Sequence, residues 1–227
     1  MSTFNGGPQS IVTNGLVLYL DAANRNSYVS GSTIWNDLSI SRNNATLVNG
    51  VGFNSSFAGG LINDNVDDYI DTNYSMSVST FSVSMWAQRT FSSFWSILWA
   101  SEVWNNNTGY VAYFPNENQI TFSRGGGTGF TNATVTNSDR PALYTFSLNS
   151  SGTVKIYQNA TLVREASITL ATSIEKTIKL NTRHSNDGSG FTDRRFGNFY
   201  MFQYYNRVLS DAEVLQNYNS TKARFGF

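Results

Sequence analysis

Apolar and polar residues alternate with a period of two in the most regular parts of this chain. Phe81, Val83 and Met85 stand against Ser82 and Ser84, the pattern of a strand with one buried face. Apolar strands are also predicted over residues 16–20 and 154–159, and short runs of this kind recur between clusters of Gly, Asn, Ser and Pro. That spacing predicts a sandwich of many short strands. Near the C-terminus the pattern changes. Residues 199–205 are apolar on both faces, with Phe199 and Met201 expected on one side and Tyr200, Phe202 and Tyr204 on the other. A strand of that kind must be covered twice, by the opposite sheet and by the segment that follows it. That segment starts a helix: Ser210 and Glu213 form a capping box, and Leu209 and Val214 sit at the two positions of a hydrophobic staple.

Composition narrows the class. The 227 residues include 15 basic and 15 acidic side chains and no cysteine, so no disulfide framework or thiolate metal site is available. A chain of this length suits one large all-β domain with a full core. Balanced charge removes the long-range field that would draw it to nucleic acid or to an anionic bilayer. No apolar run approaches the roughly 20 residues of a membrane span. The polar opening, Met1-Ser2-Thr3-Phe4-Asn5-Gly6-Gly7-Pro8, lacks the basic and then apolar pattern of a signal peptide. Residues 1–14 read as a flexible N-terminal arm, 15–220 as the sandwich domain and 221–227 as a C-terminal tail.

Motifs spread along the chain carry a resemblance. They are Gly15-Leu16-Val17-Leu18-Tyr19-Leu20-Asp21-Ala22, Trp35-Asn36-Asp37-Leu38-Ser39, Asp67-Asp68-Tyr69-Ile70, Phe81-Ser82-Val83-Ser84-Met85-Trp86 and Val154-Lys155-Ile156-Tyr157-Gln158-Asn159. With the strand over 199–205 and the capped helix, these resemble the concanavalin A-like (laminin G-like) jelly-roll family. The resemblance implies an antiparallel two-sheet jelly-roll β-sandwich with one short C-terminal helix. The family's usual Asn-Gly hairpin turn reads Asn159-Ala160 here, and alanine meets a positive φ less readily than glycine. Ile11-Val12-Thr13-Asn14-Gly15-Leu16 and Lys222-Ala223-Arg224-Phe225-Gly226-Phe227 resemble modules attached to bacteriophage virion proteins. That implies a virion-surface location after synthesis in a host cytoplasm, with a capsid or tail protein as partner and a closed homo-oligomer to suit a symmetric particle.

Members of this fold include glycoside hydrolases, which need two carboxylates about 5 to 9 Å apart. No Glu-x-Asp or Glu-x-Glu stands on a predicted strand, and Glu213 is committed to the helix cap, so a non-enzymatic module is expected. His184 is the single histidine; it lies in a polar loop with Asn186, Asp187 and Arg194, where a catalytic triad would lack a rigid support. Loops of this make-up carry binding residues in other sandwiches, and solvated connections in others still. Trp95, Trp99 and Trp104 with Asn106 form the second candidate, an aromatic and amide platform for a sugar. Trp95, Ile97 and Trp99 would share one strand face, and core packing is the competing reading. Arg124-Gly125-Gly126-Gly127-Thr128-Gly129 lacks the ending of a phosphate loop and reads as a hairpin connection. Asp64, Asp67 and Asp68 are a weak calcium candidate, encouraged by the rim calcium of several laminin G-like relatives. The loop lacks the Asp-x-Asp-x-Asp-Gly pattern of a strong site, and the expected role of its carboxylates is to satisfy local backbone donors. No cofactor is otherwise expected, and glycans are the expected small partners.

Overall fold

Alternation pairs the apolar faces of two sheets, and the computed structural model describes residues 10–90, 95–127, 129–136, 140–185, 190–192 and 196–227. The strands in chain order begin with β1 (Leu16–Asp21), β2 (Ile34–Trp35), β3 (Ala45–Val48), β4 (Gly52–Asn54), β5 (Gly60–Ile62) and β6 (Tyr69–Asp71). Then come β7 (Phe81–Arg89), β8 (Ser96–Ala100), β9 (Tyr110–Asn116), β10 (Gln119–Arg124), β11 (Phe130–Thr134) and β12 (Ala142–Leu148). The last are β13 (Thr153–Gln158), β14 (Thr161–Ser167), β15 (Lys179–Leu180), β16 (Arg183–His184), β17 (Phe191–Thr192) and β18 (Gly197–Tyr205). Helix α1 (Asp211–Thr221) and a 3₁₀ turn at Lys222–Phe225 complete the chain.

One sheet runs β14-β13-β12-β7-β18-β5-β4, with β1 also paired to β18. The other runs β11-β10-β9-β8-β15-β6-β3-β2, and β16 and β17 form a separate hairpin. All named pairs are antiparallel. This is the expected jelly-roll sandwich. Phe81, Val83, Met85 and Ala87 point between the sheets into a core shared with Trp99, Phe122, Phe146 and Tyr204. On the outer side of the first sheet Ser82 accepts from the Leu209 amide, and Ser84 bonds Thr145. Both serines are buried because α1 and the chain's last residues cover that face. Among the described residues no helix is long and apolar enough to cross a membrane.

The alternation expected in β18 fails at one point. Phe199 lies opposite Ala87 and Met201 opposite Trp86, so a bulge inserts Tyr200. Tyr200 and Met201 then both face outward, packing with Trp86, Leu143 and Phe225, while Phe199, Phe202 and Tyr204 face the core. A bulge places two residues opposite one and resets the faces beyond it. The helix begins as expected: Ser210 Oγ accepts from Glu213 N, Glu213 Oε2 accepts from Ser210 N, and Leu209 and Val214 share a buried cluster.

The first described residues and the C-terminal turn both pack on this side. Val12 is buried against Tyr205, Leu209 and Val214; its N–H donates to Asn217 Oδ1 at 2.8 Å, and Tyr205 Oη donates to its carbonyl at 3.0 Å. Ordered packing therefore begins inside the stretch expected to be an arm. Phe225 stacks on Trp86 with centroids 4.0 Å apart, whereas Phe227 is partly exposed. Arg224 ties the turn down through Asp21, at 2.6 Å, and through the Phe57 carbonyl, also at 2.6 Å.

Candidate functional site

The outer face of the second sheet is built differently. On β9, Tyr110, Ala112 and Phe114 enter the core, so Val111 and Tyr113 point outward. Pairing places Ile97, Tyr113, Thr121 and Asn132 side by side across β8, β9, β10 and β11. A second row holds Ala100, Val111, Ser123 and Phe130. Of these two rows only Asn132 and Phe130 reach solvent, the rest being buried, and two rings stand exposed on this side. Trp95, immediately before β8, is 46% exposed, and Phe130 is 55% exposed.

Trp95 lies parallel to Tyr113, with ring centroids 4.8 Å apart and planes 15° apart. Its backbone has φ +62°, a left-handed conformation uncommon for a bulky residue and frequent where side chains are held for a task. Tyr113 is a buried support. Burial pushes its phenol above the usual range, against a hydrogen bond with Thr121 and the nearby Arg183 charge. Thr121 Oγ1 in turn donates to Asn132 Oδ1 at 2.6 Å. Stacking thus fixes one face of the Trp95 ring, while on the same side of the sheet the Thr121 hydroxyl is buried and only the Asn132 amide is part-exposed.

A bulge separates the other tryptophan from this face. Ile97 lies opposite Tyr113 and Trp99 opposite Ala112, so Leu98 and Trp99 both turn into the core while Ile97 and Ala100 stay outside. Trp99 is 0% exposed, edge-on to Phe81 and Phe146, and offers no surface to a ligand. The expectation that Trp95, Ile97 and Trp99 share a face is corrected by that one inserted residue. Trp104 and Asn106 lie on a short 3₁₀ helix, and Asn106 is exposed.

His184 is nearly buried rather than presented to solvent, with Phe191 at 4.9 Å across the β16–β17 hairpin. Burial first, then the charges of Lys179 and Lys176, push its imidazole down to about 4 against a raising effect of Asp71. Neutral at physiological pH, it is a poor proton acceptor there. Arg183 beside it reaches the fully buried Glu102 at 3.6 Å, tying the hairpin to the end of β8. Asn186, Asp187 and Arg194 lie outside the described residues.

Asp64, Asp67 and Asp68 come together with carboxylate oxygens within 4.8 Å of one another. A cleft of about 680 Å³ lies away from all of these, on the helix side between Tyr19, Asp21, Arg25, Met201 and Arg224. Its Asp21 and Arg224 are bound to each other and to the fold. Sequence reasoning missed Tyr113, Thr121, Asn132 and Phe130. The usable signal was Thr121 and Ser123 alternating with Ile120 and Phe122 ahead of a glycine-rich turn and an isolated phenylalanine.

Residues 63–215 match the profile of the laminin G family described as the concanavalin A-like lectin/glucanases superfamily. No curated protein sequence matches the chain. Among solved structures, the binding domain of botulinum neurotoxin serotype D superposes with a TM-score of 0.66 at 15% identity, over 91% of this chain and 52% of that one. The binding domain of botulinum neurotoxin DC in complex with rat synaptotagmin II gives 0.66 at 16% over 91% and 52%. The serotype D domain in complex with N-acetylneuraminic acid gives 0.66 at 16% over 91% and 51%. The chain thus spans about half the length of these solved chains, and at this identity the likeness is one of fold.

Proposed function

The chain belongs to the concanavalin A-like lectin/glucanase superfamily, and from that premise we propose that it is a non-enzymatic glycan-binding module acting through the outer face of its second sheet. The half-exposed Trp95 ring, held flat by Tyr113, carries the reading. A sugar ring has apolar faces and a polar edge, so an immobilised aromatic plane with the part-exposed Asn132 amide on the same sheet face matches both. Solved domains of this fold include one in complex with N-acetylneuraminic acid, which supports a glycan as the partner class. Catalysis would need a carboxylate pair flanking a sugar site. Glu102, which follows β8, is instead fully buried against Arg183.

The setting proposed for the module is the surface of a virus particle, attached to a capsid or tail protein. The virion-like motifs at residues 11–16 and 222–227 support it. Both segments lie on the helix side of the sandwich, against α1 and Trp86. Attachment there leaves the Trp95 face turned outward.

A glycan array with the full chain tests the first part. Trp95→Ala should weaken binding of any glycan retained by about 1 to 3 kcal/mol, roughly 5- to 150-fold, with the melting temperature unchanged. Undiminished affinity in both Trp95→Ala and Phe130→Ala would remove this face from consideration.

A further inference from the structure

The cleft beside Tyr19, Asp21 and Arg25 continues past those residues. A hollow of about 510 Å³ shares Ala23 and Arg25 with it, and a third, of about 350 Å³, shares Tyr28, Ser30 and Phe53 with the second. The three form one groove along residues 22–33, leading from the helix side to β4. Its wall is fixed by backbone bonds of its own: the Asn24 carbonyl accepts from the amides of Ser27 and Tyr28, both at 2.8 Å, and Ser32 N donates to the Val29 carbonyl at 3.0 Å.

The groove runs beside an open strand edge. β4 is the last strand of the first sheet, and among the described residues no strand pairs with its outer side. Such an edge offers backbone donors and acceptors to an incoming chain. Gly52, the first residue of β4, is exposed and lines the groove. Its φ lies outside the left-handed region, and an added Cβ would come no nearer than 3.8 Å to any atom beyond its chain neighbours. The fold therefore has no need of glycine at this position, where a side chain would strengthen the strand; close approach of another backbone does need it.

The lining adds chemistry. Phe53 packs on Tyr28, with ring centroids 5.4 Å apart, and Ala22 and Ala58 join them in the middle hollow. Arg25 is exposed where the first two hollows meet, and among the described residues it forms no ion pair. Asp21 and Arg224 in the same cleft neutralise each other at 2.6 Å. The groove thus carries one uncompensated positive charge. We propose that it takes an extended, acidic segment of a partner protein, added as a strand to the free edge of β4, with apolar side chains in the middle hollow and a carboxylate on Arg25. In strand addition main-chain bonds supply affinity and pockets for alternate side chains supply specificity. An oligosaccharide would use neither the strand edge nor the bare backbone at Gly52. This surface is separate from the Trp95 face and does not depend on glycan binding there.

Fluorescent heptapeptides of alternating valine and threonine, carrying one aspartate, one lysine or no charge, are titrated into the full chain and read by anisotropy. The acidic peptide should bind about tenfold more tightly than the basic one, and Arg25→Glu should reverse that order. Gly52→Val should weaken the acidic peptide by about tenfold or more while leaving the melting temperature unchanged or raised, since the fold has room for the side chain. Trp95→Ala should bind the peptides like the parent, which keeps this test apart from the glycan array. Absence of binding by all three peptides at about 1 mM overturns the proposal. So does parent-like affinity in Gly52→Val. An alginate hexasaccharide that displaces the peptide, with its own affinity lowered by Arg25→Glu, would assign the groove to an acidic glycan instead. Self-association of the chain that Gly52→Val abolishes would assign it to a second copy.

Discussion

Asp37 shows how much a single side chain organises. It is buried, and its two oxygens accept from the amides of Tyr19, Ser39 and Asn43 and from the Ser39 hydroxyl, at 2.7 to 2.8 Å. Those bonds fasten the turn after β2 to β1. Removal leaves several buried donors unsatisfied, each worth about 1 to 3 kcal/mol. Asp37→Ala should therefore lower stability by about 3 kcal/mol or more in urea unfolding without altering glycan binding. His184 sets a pH dependence at the same scale. Its folded value of about 4 lies below the ordinary 6.5, so between those limits the unfolded chain binds the extra proton and stability falls as the solution is acidified. His184→Gln should flatten the melting-temperature profile between about pH 6.5 and 4; an unchanged slope would assign the loss to other groups.

At the scale of elements, three local devices decide faces and directions. The Asn159–Ala160 turn takes φ +51° and +63°, the two positive angles of a type I′ hairpin. Alanine meets that conformation at a cost, and the Asn159 side chain compensates by accepting from Leu143 N at 2.9 Å. The helix cap is the second device. Glu213 is held down to about 2, first by its hydrogen bond from Arg207 and then by the Ser210 donors. Its folded value is depressed, so the contribution is present above about pH 4.5 and is lost as pH falls toward 2. Ser210→Ala should cost about 1 kcal/mol at neutral pH. The third is the terminal turn, whose Phe225 is fully buried on Trp86. Phe225→Ala should cost about 3 to 5 kcal/mol by thermal or denaturant unfolding, whereas Phe227→Ala, at a partly exposed ring, should cost far less.

For the whole molecule, the two outer faces are built differently. One is roofed by α1, the terminal turn and residues 10–14; the other bears Trp95 and Phe130. Because β1 pairs with β18, the first sheet closes only when two strands some 180 residues apart in the chain meet. Long-range closure of this kind favours folding in milliseconds to seconds. Incubation with plant, algal and bacterial polysaccharides should release no reducing ends. Release abolished by one Glu or Asp substitution would establish a hydrolase.

The sandwich class, the face of β7, the helix start at Ser210 and the double coverage of β18 were all legible in the chain, because each rests on neighbours two to four residues apart. Alternation made Phe81, Val83 and Met85 core residues whatever their partners. What lay beyond it was settled by pairing between distant strands. The bulges at Leu98 and Tyr200 arise from register against β9 and β7; the first decides that Trp99 is core while Trp95 stays exposed, the second that Met201 faces outward. Likewise, Tyr113, Thr121 and Asn132 become neighbours only by lateral pairing. The partnerless oxygen of Asp68 emerges only when the loop is folded under its neighbours, since a sequence shows which donors are near along the chain and not which remain once every other group has been satisfied.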